Sequence, residues 1–150
     1  MDIGSGNGYP SSALSNFAPH KFTFRGVECA SMEGLLQSFK FSSPEMQCEV
    51  CKLVGMAAKS KGASKNWQRT QTLYWQGQEI KRKSKDYQKL LDEAYAELAK
   101  NTGFQKALIS SKGSVLTHSI GKTKMSETVL TKREFCSRLT DLRECLLAEL

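Results

Sequence analysis

The clearest apolar rhythm in the chain lies between Ser31 and Phe41. Met32, Leu35, Leu36 and Phe39 follow the i, i+3, i+4, i+7 spacing of a helix with one buried stripe. Glu33, Gln37 and Lys40 repeat that spacing on a neighbouring face. Ser31 is placed as the N-cap, where its hydroxyl accepts from an otherwise unpaired backbone amide. The pattern predicts a helix anchored in a core and presenting an acid, an amide and an amine in one row. Such a row suits gripping or cutting a sugar-containing substrate, and it equally suits a solvated surface face.

Other segments carry the same kind of signal. Phe22 and Phe24 alternate with Lys21, Thr23 and Arg25, and Val27 and Cys29 alternate after Arg25-Gly26, which predicts a small hairpin. Ser43-Pro44 opens a helix with proline at its first position. Met46, Val50, Leu53, Val54 and Ala57 mark its expected buried side, and Gly62 is its expected stop. Between Ala63 and Lys85 the pattern weakens to two short extended pieces around Gly77. There Tyr74 is assigned to the core, while Trp67 and Trp75 stay open between core packing and stacking on a substrate ring.

The strongest helix is Asp86 to Lys100, with Tyr87, Leu90, Leu91, Ala94, Tyr95 and Leu98 as a broad stripe ended by Asn101 and Gly103. A short helix over Phe104–Ile109 and an extended piece over Ser114–Ile120 follow. Thr131-Lys132-Arg133-Glu134 is a capping box that opens a last helix, with Phe135, Leu139, Leu142 and Leu146 inward. The sum is an α+β fold: a single helix-rich domain spanning residues 1–150, with a few short strands and no repeat or linker. Residues 1 to 13, rich in Gly and Ser, read as a flexible lead-in. Gly4, Gly6 and Gly8 are not a nucleotide-binding fingerprint, because no strand precedes them and no Lys-Ser/Thr pair follows.

Composition narrows the picture without choosing a function. A chain of 150 residues with 39% hydrophobic and 25% charged content can bury a core unaided. No apolar run is long enough to span a bilayer and no leader pattern opens the chain, so a cytoplasmic location is expected. The cysteines number five, an odd count in a chain that needs no staples, and read as reduced thiols, mostly in the core. Cys48-x-x-Cys51 has no second pair, and His20 and His118 stand at no zinc spacing, so two helical thiols are preferred to a metal site. Twenty-two Lys and Arg against fifteen Asp and Glu give a formal charge of +7. That favours an anionic partner: a phosphorylated metabolite, a nucleotide or nucleic acid.

A second motif precedes the first helix. Leu14-Ser15-Asn16-Phe17 is followed by Pro19, the predicted hairpin and the Glu33 helix. This order resembles the NADAR, or YbiA-like, superfamily, whose members carry a Leu/Phe-Ser-Asn-Phe loop and a helix reading roughly Val-Glu-His-x-x-Gln-x-x-Lys-Phe. Ser15, Asn16 and Phe17 fall on the loop, and Glu33, Gln37, Lys40 and Phe41 on the helix. The match is sharp over residues 14 to 41 and looser beyond. The resemblance implies a YbiA-like fold and N-glycosidase activity on phosphorylated riboflavin-pathway intermediates or on ADP-ribose attached to guanine. The implied partner is an anionic ribosyl phosphate or an ADP-ribosyl group, with ADP-ribosylated DNA as one carrier.

The residues suit that chemistry. Departure of a base nitrogen from ribose leaves an oxocarbenium-like centre. Glu33 can stabilise that charge or shuttle a proton. Lys40, desolvated beside Phe39 and Phe41, can attack the anomeric carbon and form a Schiff base, or it can act as a fixed cation that binds phosphate. Gln37 and Asn16 can hold ribose hydroxyls, Ser15 can donate to a phosphate, and Phe17 and Trp67 complete the expected contacts. This chemistry calls for no metal or organic cofactor. The chain departs from the family pattern twice. Gly34 stands where many members have His, and Leu116-Thr117-His118-Ser119-Ile120-Gly121 stands where many have an acidic residue before a Trp-Gly pair. His118 is assigned a polar role there, as acid/base or substrate contact, beside the plainer reading of a histidine bonded to backbone. Two other classes stay open: a non-catalytic ADP-ribose or nucleotide-binding module, and a small nucleic-acid-binding protein suggested by charge alone.

Overall fold

The start of the chain is tied to a distant segment, although Ser5–Tyr9 are exposed. In the computed structural model, which describes residues 1–150, Asp2 bridges Thr117 in parallel fashion. Ile3 N–H donates to the Thr117 carbonyl at 2.8 Å, and Thr117 N–H donates to the Met1 carbonyl at 2.9 Å. Ile3 is fully buried in the core. Ser11 Oγ accepts from Gly4 N–H and donates to the Asp2 carbonyl, and a short helix α1 (Ser11–Leu14) follows. Both ends of the stretch read as a flexible lead-in are thus held by bonds that composition does not report.

β1 (Phe22–Phe24) and β2 (Val27–Cys29) form the first hairpin, with Phe22 opposite Cys29. Arg25 and Gly26 both take positive φ, 47° and 81°. That is the turn whose twist matches two adjoining strands. α2 (Met32–Ser38) starts as expected, with Ser31 Oγ accepting from Gly34 N–H, and Met32, Leu35 and Leu36 enter the core with Phe39. It ends earlier than the sequence suggested, so Lys40 sits in the turn after it.

The single helix expected from Pro44 to Gly62 is two: α3 (Pro44–Cys51) and α4 (Gly55–Ala63). The break is made by tertiary bonds. Ala30 N–H takes the Cys51 carbonyl at 2.9 Å, the Ser31 hydroxyl takes the Leu53 carbonyl at 2.9 Å, and Gly55 adopts a left-handed φ of 53°. The buried side is consequently Gln47, Val50, Cys51 and Ala58, while Val54 and Ala57 are exposed. Gly62 lies inside α4 and does not terminate it; its missing Cβ makes room for Gln37, whose Oε1 would stand 1.7 Å from such an atom.

β3 (Thr72–Trp75) and β4 (Gln78–Lys81) form the second hairpin around Gln76-Gly77, again with both φ positive. Leu73 and Trp75 face the core and Tyr74 is only partly covered, which reverses the assignment of Tyr74 and settles that of Trp75. α5 (Lys85–Leu98) buries its whole stripe, Tyr87, Leu90, Leu91, Ala94, Tyr95 and Leu98. Each such leucine contributes about 1.5–3 kcal/mol of burial. Asn101, read as a stop, instead caps α6 (Thr102–Ser110) by accepting from Phe104 N–H. The extended piece expected over Ser114–Ile120 pairs only through the Asp2–Thr117 bridge and ends in a turn at Ser119–Ile120, closed by Gly121 N–H to the His118 carbonyl at 3.0 Å. α7 (Lys132–Ala148) opens on the complete Thr131/Glu134 capping box, with Phe135 and Leu139 buried. Cys29 and Cys51 are buried, Cys48 and Cys136 are partly covered, Cys145 is exposed, and all are free thiols. No helix is long and apolar enough to cross a membrane.

Candidate active site

The Ser15–Phe17 loop and the start of α2 are joined by one backbone bond. Glu33 N–H, left without an intrahelical partner at the helix start, donates to the Asn16 carbonyl at 3.0 Å. The Asn16 side chain is fixed from the other direction, its Oδ1 accepting from the buried Tyr95 hydroxyl at 2.8 Å. With that oxygen engaged, the amide NH₂ of Asn16 is the group left for a ligand. Ser15 Oγ accepts from Phe17 N–H at 3.2 Å, so its own proton remains available for donation.

Lys40 is placed by the turn that ends α2. Its N–H donates to the Gln37 carbonyl at 3.1 Å, and the Phe39 carbonyl before it accepts from Tyr74 N–H at 2.8 Å. Buried Gln47 locks this corner. Its amide donates to the Ser38 and Tyr74 carbonyls, and its oxygen accepts from Gln76. Every polar atom of Gln47 is thereby satisfied, as burial requires.

These elements open into a cleft of about 620 Å³. Ser15, Asn16, Phe17, Glu33, Gln37, Lys40, Trp67 and His118 all line it. The loop, helix, connection and late extended piece that carry them are far apart in sequence. Trp67 is 4% exposed, so it is largely a core residue with one edge on the cleft. His118 combines its two readings. Nδ1 lies 2.8 Å from the Ile3 carbonyl, which accepts, so that nitrogen carries the proton. Nε2 is then the nitrogen that exchanges protons or accepts from a ligand. Phe135 packs edge-on against the ring, with centroids 5.1 Å apart.

Charge in the cleft is uneven. Lys40, Lys59, Lys65 and Lys122 face two carboxylates, Glu33 and Glu127. Burial pushes the Glu33 carboxyl above the ordinary carboxylate range, against the Gln37 hydrogen bond and the positive charges of Lys40 and Lys59. Burial likewise lowers the Lys40 amine, helped by Lys122 and Lys59 and opposed by Glu33. Gln37 Nε2 donates to Glu33 Oε2 at 2.6 Å. Both groups are thus moved toward their neutral forms, the condition for proton exchange and amine nucleophilicity near neutral pH.

Three lining groups were missed by sequence reasoning. Lys59 and Lys65 entered only through the formal charge of +7. Lys122 lies in irregular chain and Glu127 in a single 3-10 turn, Met125–Glu127, where no periodicity marks a face. Thr128, Val129 and Leu130 form the wall opposite α2, and that wall is held from behind. Arg82 Nε donates to the Thr128 carbonyl at 2.7 Å, and the Tyr87 hydroxyl donates to the Val129 carbonyl at 2.6 Å.

Gly34 has a structural explanation. A Cβ there would stand 2.6 Å from the Leu53 carbonyl oxygen, 3.0 Å from that of Val50 and 3.2 Å from that of Cys51. The end of α3 therefore occupies the space that a larger residue would need.

A family model described as bacteriophage protein GP30.3 matches residues 8–144. The chain is 41% identical over 152 residues to an uncharacterised 17.1 kDa protein of Enterobacteria phage T4 from the Gp30–rIII intergenic region, covering 97% of this chain and 98% of that protein. Its fold is similar to the NMR structure of the E. coli protein YbiA, with a TM-score of 0.64, 16% identity, and coverage of 99% of this chain and 85% of that one. At that identity the likeness establishes the fold alone, which is α+β and YbiA-like, as the sequence motifs implied.

Proposed function

The chain belongs to the bacteriophage protein GP30.3 family, and on that premise we propose that it is an N-glycosidase of the NADAR type. The bond it cleaves joins a ribose anomeric carbon to a base nitrogen. The substrate class is ADP-ribosylated guanine, in DNA or as a nucleotide, or a phosphorylated riboflavin-pathway riboside. The observation that carries this reading is the pairing of half-buried Glu33 and half-buried Lys40 in one cleft lined by lysines. The YbiA-like fold and the Ser15-Asn16-Phe17 and Glu33-to-Phe41 motifs support it.

In this mechanism neutral Lys40 attacks the anomeric carbon as the bond to the base nitrogen breaks. Protonated Glu33 gives its proton to the departing nitrogen and takes one back from the new ammonium. The ring C–O bond then opens, its oxygen takes a proton, and a Schiff base forms on Lys40. Water adds to the imine carbon, releasing the sugar aldehyde and the free amine. Asn16 NH₂ and Gln37 orient the ribose, and Lys59, Lys65 and Lys122 hold phosphate.

The test is turnover of ADP-ribosylated guanine, free and in DNA, beside riboflavin-pathway ribosyl phosphates, with and without borohydride. Base release by the native chain, lost in Glu33→Gln and Lys40→Ala, is expected, with a borohydride-trapped adduct on Lys40. Tight binding without release of base would favour a non-catalytic ADP-ribose-binding module, a reading the lysine rim also supports.

A further inference from the structure

Beside the cleft lies a second pocket of about 350 Å³. Ser5 and Phe17 line both cavities, so the two adjoin at these residues. Their chemistry differs. Four lysines line the larger one, whereas the smaller, walled by Ser12, Ala13, Ala18, Pro19 and His20 beside the shared Ser5 and Phe17, has no lysine, arginine or carboxylate.

The smaller pocket is also preformed. The strand-like start and the turn before α1 are stitched by Gly4 N–H to Ser11 Oγ at 3.1 Å, Asn7 N–H to the Gly4 carbonyl at 3.1 Å, and Ser12 N–H to the Gly8 carbonyl at 2.7 Å. His20 Nε2 lies 2.8 Å from the Ala13 carbonyl, which fixes the far wall. The hydroxyls of Ser5 and Ser12 make no hydrogen bond within the protein and are free to meet the edge of a ligand.

We propose that this pocket, free of lysine, arginine and carboxylate, is a nucleobase subsite, taking the terminal base of a nucleoside-diphosphate sugar whose phosphates lie against the lysines and whose ribose reaches Glu33. A planar uncharged heterocycle gains from an aromatic face and from short polar side chains that read its edge. A phosphate gains nothing there, because no cation faces it. The inference rests on the glycosidase reading for the orientation of the ligand. It deepens that reading by favouring an ADP-ribosyl substrate over a simple ribosyl phosphate, which would leave the pocket empty.

The experiment maps backbone amide shifts of isotope-labelled protein with ADP-ribose and with ribose 5-phosphate as probes. ADP-ribose is expected to move the Ser12, Ala13 and Ala18 amides together with those at Lys40 and Lys122. Ribose 5-phosphate is expected to move only the latter. Ser12→Trp, which fills the pocket, is expected to weaken ADP-ribose about tenfold and leave ribose 5-phosphate unchanged. The proposal is overturned if ADP-ribose leaves Ser12, Ala13 and Ala18 unmoved, or if Ser12→Trp binds both probes as the native chain does. Should Ser12→Trp weaken both probes, the shift map of the native chain decides. A shift map as expected with no cleavage of any riboside would leave the subsite standing and sink the glycosidase reading alone.

Discussion

Gln37 donates from Nε2 to Glu33 at 2.6 Å, while Oε1 of the same amide is buried without a partner. The reason is Gly62. Its bare backbone lies where the Gln37 oxygen points, so the amide is aimed at Glu33 by space as much as by bonding.

Gly62→Ala is therefore a remote probe of the carboxylate. The new Cβ would collide with Gln37 and turn the amide away. A misplacement of that size is expected to cost about a hundredfold in kcat/KM. Because the lost hydrogen bond favours the charged form of Glu33, its pKa should rise further, moving the corresponding limb of the pH–rate profile upward. An unchanged profile would show that Gln37 does not tune Glu33.

Glu33 itself should trade stability for activity. Its folded-state pKa lies above the unfolded value because burial disfavours the charge. Such a group stabilises the fold fully below the unfolded pKa, and that stabilisation is lost as pH rises through the folded pKa. Glu33→Gln removes the buried charge. It should melt at a higher temperature than the native chain at pH 7, with the gap closing toward pH 4, while activity falls by about 10²–10⁴-fold. Calorimetry across that range, alongside the turnover assay, checks both halves.

Lys40 separates two mechanisms through a single substitution. Lys40→Arg keeps the positive charge and removes a nucleophilic amine. A nucleophilic Lys40 predicts loss of turnover of at least about a hundredfold and no borohydride adduct. A fixed cation predicts substantial turnover in Lys40→Arg and a loss only in Lys40→Ala. In the nucleophilic case kcat/KM should rise with pH to an inflection below the ordinary lysine range, since burial lowers the amine.

The wall opposite α2 depends on a buried ion pair. Arg82 is fully buried and meets both oxygens of Glu134, at 3.2 Å and 2.5 Å. Gln88 and Thr131 N–H donate to the same carboxylate. Glu134→Ala strands the guanidinium and is expected to cost about 3–5 kcal/mol, read by urea unfolding. Burial pushes the Glu134 carboxyl up, but Arg82, Gln88 and the Thr131 amide hold it below its ordinary range. Its stabilisation is present above the unfolded pKa and lost as pH falls through the folded value, so acid should unfold the native chain more readily than it unfolds Glu134→Ala relative to pH 7.

Gly34→Ala tests the packing of α2 on the end of α3. The Leu53 carbonyl, 2.6 Å from the added atom, is backbone and cannot swing aside. Overpacking of this kind is expected to cost about 1–3 kcal/mol.

Local pattern carried much of this architecture. The stripe of α5, the two turn pairs Arg25-Gly26 and Gln76-Gly77, and the Thr131 capping box are all settled by residues a few positions apart. The eight residues picked from the two motifs and their surroundings all reach the cleft. What escaped the sequence was decided by distant partners. The break between α3 and α4 is made by Ala30 and Ser31. The order in residues 1–13 is made by Val115–Ser119. Lys122 and Glu127 join the site from chain with no period, where charge alone gives no direction.

The pairing of Asp2 and Ile3 with Thr117 and His118 also bears on synthesis. The His118–Ile3 and Ser119–Asp2 hydrogen bonds span separations of 115 and 117 residues, so residues 2–3 must wait for residues 118–119. A nascent chain that has not yet emerged past Ser119 lacks the backing for His118 and one wall of the cleft. Local contacts such as the hairpins and α5 can form early, whereas this closure is slow by the entropy of so large a loop. A chain in which that closure has not formed carries Glu33 and Lys40 without His118 in the cleft beside them.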